Sequence, residues 1–159
     1  MRHFFTCAAA PFAEMFSQDS QNIDTVRFSF GKAVIINDHI AEVLIKEGVE
    51  VDCDMLEDLR QLWRSRLCAP FFLLINKVNH YTYSFEAQEK LFDLDGLDAI
   101  AVVAYSRITR LTTESLLKSF QHNDNRKVKI FSSRDRALRW LLIQRSVDPI
   151  QDDKPAERS

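Results

Sequence analysis

A chain of 159 residues, 46% of them apolar, is the size of one ordinary domain and carries enough hydrophobic material for a real core. Twenty-one basic residues against 23 acidic ones leave a net charge of −2, which excludes a global field that would draw in nucleic acid or an anionic membrane. No apolar run approaches the roughly 18 residues needed to span a bilayer, so a soluble protein without a membrane span is expected.

The three cysteines, Cys7, Cys53 and Cys68, form an odd set without C-x-x-C spacing. That pattern fits small apolar side chains in a reduced, cytoplasmic chain better than a disulfide framework. Residues 1–24 differ from the remainder. Their start, M-R-H-F-F-T-C-A-A-A-P-F-A, has the outline of a signal peptide, but Thr6 and Pro11 break the apolar stretch and the basic region is weak. A poorly structured, variable segment is therefore expected there, with Met15 as a second candidate start.

From Thr25 the pattern is period two, with Val26, Phe28 and Phe30 alternating with polar residues as in a half-buried strand. Gly31 and Lys32 interrupt it. Ala33 to Ile36 and Ile40 to Ile45 then flank Asn37-Asp38, which predicts an N-terminal antiparallel hairpin. Gly48 marks a turn before Val49-Glu50-Val51.

Asp52 opens a helix with acids early and arginines late, the order that suits the helix dipole. Met55, Leu56, Leu59, Leu62, Trp63 and Leu67 fall within an arc of roughly 140°, a stripe wide enough to lie on a sheet. Pro70 ends that helix, and the unbroken run Phe71 to Ile75 predicts a buried central strand. A second helix follows from Ser84 to about Phe92. Ala99 to Tyr105, apolar at both parities, is the second interior strand. Ile108, Leu111, Leu116 and Phe120 mark a third helix, weakened by Thr109, Thr112, Thr113 and Ser115. Lys127 to Phe131 is a short strand, and Ser132-Ser133 caps a last helix on which Ala137, Leu138, Leu141 and Leu142 share a face while Trp140 lies off it.

The expected order is a β-hairpin followed by α-β-α-β-α-β-α, an α/β domain over 25–145 with a mostly parallel mixed sheet. Residues 146–159, rich in charge and proline, read as a disordered tail.

Asn76, Lys77, Asn79, His80 and Tyr81 make a polar and aromatic loop at the C-terminal edge of the central strand, where ligands of doubly wound sheets bind. Such a loop either lines a ligand pocket or is a solvated connection. Ser84 follows at a helix start, where a plain cap contributes about 1 kcal/mol. The histidines are scattered, which argues against a metal site. There is no G-x-S-x-G, no Walker loop and no G-x-G-x-x-G, so neither a catalytic residue nor a cofactor is expected and the chain reads as a non-enzyme. Twelve phenylalanines raise one further point. Phe28, Phe30, Val43, Ile45 and one of Phe71 and Phe72 could gather on an open sheet face, to be covered by the chain's own segments or by a second subunit in a homodimer.

Two stretches, G-V-E-V-D at residues 48–52 and I-F-S-S-R-D-R-A-L-R-W-L at residues 130–141, resemble landmarks of the SpoIIAA-like proteins of the STAS group. That fold is shared by sulfate transporter tails and anti-sigma-factor antagonists. The resemblance covers Ile36 to about Leu142. It implies a sheet of four or five strands with helices mainly on one face, and a regulatory role exerted through contact with a protein partner, here through the loop and helix from Asn76 to Gln88. In anti-sigma-factor antagonists a D-S-S-G motif after the central strand carries a phosphorylated serine. The matching segment here, Thr82-Tyr83-Ser84-Phe85, lacks its aspartate and glycine, leaving Ser84 and secondarily Thr82 as phospho-acceptor or partner-binding candidates. The alternative is a carrier that holds a small molecule or lipid in a cavity between helices and sheet.

Overall fold

The computed structural model describes residues 24–118 and 126–146. The expected variable segment (apart from Asp24) and the expected tail beyond Ser146 lie outside the described residues. β1 (Asp24–Phe28), β2 (Gly31–Ile35) and β3 (Ile40–Ile45) form an antiparallel meander. Its second turn is held by Asn37, whose Oδ1 accepts from the backbone N–H of His39 at 2.7 Å and of Ile40 at 2.9 Å. Gly31 is required at the first turn, because a Cβ there would lie 2.3 Å from the Leu44 carbonyl oxygen on the paired strand.

β4 (Glu50–Val51) leads into α1 (Cys53–Arg66), capped by Asp52, whose Oδ1 accepts from Met55 N at 2.9 Å. The chain continues through β5 (Phe71–Lys77), β6 (Thr82–Tyr83), α2 (Phe85–Lys90), β7 (Leu97–Ala104), α3 (Arg107–Lys118), β8 (Lys127–Phe131) and α4 (Arg134–Ser146). β3, β5, β7 and β8 pair in parallel, so the main sheet has the order β1-β2-β3-β5-β7-β8. β4 and β6 pair with each other in a separate two-stranded ladder.

The sheet thus has six strands rather than four or five. Gly31 does not end the first run but brings β2 back beside β1 across a two-residue turn, with Phe28 opposite Gly31, so the opening is a three-stranded meander rather than a hairpin.

Period-two alternation on β5 sorts the core into two layers. Phe71 and Leu73 face α1 together with Val43, Ile45, Ile100 and Val102, and Leu59 and Trp63 of α1 close that layer. Burying each of those two side chains contributes about 1.5–3 kcal/mol. Phe72 and Leu74 face the opposite way, under Ala137 and Leu141 of α4. Among the described residues, three helices lie on one face and α4 on the other, in accord with helices mainly on one face. The phenylalanine cluster does gather, in one buried layer with Leu59 and Trp63 of α1: Phe30 is 4% exposed and Phe71 5%. Within α4 two expectations fail. Leu142 is exposed, and Trp140 packs on Phe131 with ring centroids 5.6 Å apart. Of the cysteines, Cys53 is a free thiol, and Cys7 lies outside the described residues.

Candidate functional site

β5 runs two residues beyond the expected Ile75 and takes Asn76 and Lys77 into the strand. Because neighbours on a strand point to opposite faces, the two side chains part company. Asn76 belongs to the α4 side and Lys77 to the α1 side.

On the α4 side Asn76 is 5% exposed, which corrects its assignment to a solvated loop. Its Nδ2 donates to Glu42 Oε2 at 2.7 Å. Glu42, 3% exposed, also accepts from Arg134 at the start of α4: Nη2 reaches Oε1 at 2.7 Å and Nε reaches both carboxylate oxygens at 3.0 and 3.1 Å. The bidentate carboxylate holds the guanidinium charged and raises it above its ordinary value. Asn76 Oδ1 is buried without a hydrogen-bond partner. Sequence periodicity offered one signal for this cluster, Glu42 inside an otherwise apolar strand, and none for Arg134.

On the α1 side Lys77 extends toward the aromatic pair of the following segment. Its Nζ sits 4.3 Å from the ring centroid of Tyr81 and 5.6 Å from that of Tyr83. The two rings meet edge to face at 5.6 Å, and their hydroxyl oxygens are 3.5 Å apart. Burial lowers the Lys77 ammonium to about 8. It raises both phenols, Tyr81 further through its neighbour Tyr83, whereas the hydrogen bond from Tyr81 works against the rise at Tyr83.

These three side chains help line a partly open cavity of about 80 Å³ walled by α1, the end of α2, α3 and the sheet. Its walls are apolar, with Leu59, Trp63, Ile100 and Val102 among them. Among the described residues, all the charged ones that line it are basic: Lys77, Arg60 and Lys90. Tyr83 was not singled out from the sequence, although its spacing from Tyr81 places both on one side of β6. A second, larger groove of about 290 Å³ opens beside Arg60, Arg64, Asp93 and Asp95. It is polar and carries both signs of charge, so it has neither the walls nor the electrostatic bias of the first.

The remaining candidates point elsewhere. Asn79 donates through Nδ2 to the Ile45 carbonyl at 2.8 Å and ties the loop to β3. His80 is exposed and lies beside Glu47, with Nδ1 3.6 Å from Oε2. Thr82 is exposed on β6 opposite Glu50. Ser84 caps α2, its Oγ accepting from Ala87 N at 3.1 Å. Of the seven candidates, only Lys77 and Tyr81 line the cavity. Among the described residues no cluster of three His, Cys, Asp or Glu side chains has the arrangement of a metal site, and no helix is long and apolar enough to cross a membrane.

No family model matches the chain, and no curated protein or solved structure matches it either.

Proposed function

We propose that the chain is a non-enzymatic binding module, in which the cavity under the segment from Lys77 to Tyr83 takes a small molecule with an apolar body. The observation that carries this reading is the meeting of that apolar cavity with the one part of the described chain where a lysine and two tyrosine side chains converge. A few convergent polar groups at one end of an apolar pocket are the usual makings of a ligand site. Volume sets the ligand's size. About 80 Å³ is roughly half the ~150 Å³ engineered cavity that admits benzene, and far below the ~300 Å³ or more that holds a drug-sized compound. A short aliphatic body fits, whereas a whole membrane lipid does not. The binding rather than catalytic role rests on the absence of nucleophile and phosphate-loop motifs from the sequence.

Native mass spectrometry of the full chain, purified without detergent or denaturant, tests the reading. Bound cargo is expected as a small mass increment that disappears on denaturation. A ligand-free mass, together with unchanged Trp63 fluorescence across a panel of short-chain compounds, would overturn it.

A second reading has one observation in its favour. Phe85 is 72% exposed at the start of α2 and Val78 is 50% exposed, an apolar edge on the segment that the STAS-like resemblance assigns to partner contact. Under that reading the chain is a STAS-like regulatory module that docks a protein partner through residues 76–88. Phe85→Ser would then abolish complex formation while leaving the far-UV dichroism unchanged.

A further inference from the structure

Resting on the cavity as a binding site, we propose that its ligand is a short-chain carboxylic acid, bound as the carboxylate with its charged end against Lys77. Four observations converge on this chemistry. First, among the described residues no aspartate or glutamate lines the cavity, whereas Arg60, Lys77 and Lys90 do. An anion is the complementary ligand. Second, Lys77 Nζ makes no ion pair with an acidic side chain among the described residues, and its neighbours are the faces of Tyr81 and Tyr83. An aromatic face only partly replaces the hydration that an ammonium loses on burial.

Third, the tyrosine hydroxyl oxygens stand 3.5 Å apart, beyond the 2.5–3.0 Å of a good O–H···O bond. Their long hydrogen bond uses one O–H donor and leaves the other able to donate. One ammonium and one hydroxyl match the two oxygens of a carboxylate. Fourth, on α1, Arg60 donates through Nη1 to Glu57 at 2.9 Å, yet its Nε is buried without an acceptor. Arg60 thus keeps one N–H without an acceptor beside its ion pair with Glu57.

The ligand's charge then sets a pH dependence. Lys77 must be protonated to hold a carboxylate, so affinity is expected to fall as pH rises through the range in which the ammonium loses its proton. The other charged or titratable groups facing the cavity are Arg60 of α1, Lys90 of α2, Tyr81 and Tyr83.

The test is a chemical-shift titration of the full chain with butanoate, butan-1-ol and acetate. Butanoate is expected to bind best, since only it has both the body and the charge. Lys77→Met should weaken butanoate about tenfold or more, the scale of one charge-assisted hydrogen bond, while leaving butan-1-ol unchanged. Lys77→Arg should retain most of the butanoate affinity. Raising the pH from 7 to 9.5 should weaken butanoate and leave butan-1-ol unaffected. Equal binding of butanoate and butan-1-ol, both insensitive to Lys77→Met, would overturn the carboxylate while leaving the cavity as a binding site. Binding of acetate as tightly as butanoate would place the anion outside the cavity and overturn the proposal. Absence of binding by all three would overturn the underlying reading as well.

Discussion

Val102→Ile adds one methylene to the β7 side chain that faces the cavity, and it should make the protein more stable and less able to bind. Val102 is 5% exposed and lies in the layer closed by α1. The substitution keeps the β-branch that suits a strand, so the new carbon is the main change. An unfilled cavity costs about 24 cal/mol per Å³, so a void of about 80 Å³ lowers stability by about 2 kcal/mol. One added methylene recovers about 0.8 kcal/mol of that if it enters open space. Urea denaturation followed by far-UV dichroism measures the gain, and butanoate titration measures the loss of binding. Together they distinguish a retained void from a packing defect, because a site kept open for a ligand loses function as it is filled. A destabilisation above about 1 kcal/mol, the signature of overpacking, would show that the space is already occupied and would refute the argument.

Lys77→Met should stabilise the ligand-free protein at neutral pH. A lysine lowered to about 8 in the fold from 10.5 unfolded disfavours folding most fully where both states are protonated, and that penalty fades as pH rises toward 10.5. The variant is therefore expected to be more stable by about 2–3 kcal/mol at pH 7, narrowing to about 1 kcal/mol at pH 9.5, in urea melts at the two pH values. A gap that widens with pH would contradict the burial of the ammonium. Arg134→Met leaves the Glu42 carboxylate buried with Asn76 as its remaining donor, and should cost about 2–4 kcal/mol at pH 7. Glu42→Gln in that background should restore most of the loss. Ser84→Ala removes the α2 cap and should cost about 1 kcal/mol without altering butanoate affinity. An intact mass from the native host that is phosphorylated in the wild type and unphosphorylated in this variant would restore Ser84 as a switch.

Much of the fold was legible because its signals are local. The run Phe71 to Ile75 and the run Ala99 to Ala104 pair in parallel, both apolar at both parities and buried, whereas Tyr105, expected in the second run, lies beyond the strand and is exposed. Asp52, Ser84 and Ser133 all sit where capping chemistry puts them. Less was legible of the site. β4 and β6 are two residues each, too short to show any period, yet their pairing carries Tyr83 to the cavity. Asn76 and Lys77 look alike as polar residues after an apolar run. Only the end of β5 decides that one joins Glu42 and Arg134 while the other joins the tyrosines, and Arg134 lies 92 residues from Glu42 in the chain. The same difficulty hid the cavity, because it is walled by α1, α3 and the sheet with residues whose apolar character already served the core.

The most direct test is where a bound ligand rests. With butanoate and methyl-labelled full-length protein, nuclear Overhauser contacts are expected from the butanoate methyl group to Ile100, Val102 and Leu59, and from its α-methylene toward Tyr81 and Tyr83. Contacts confined to exposed residues such as Phe85, Ile108 or Ile143 would mean that the ligand stays on the surface and that the cavity under Lys77 is not a binding site.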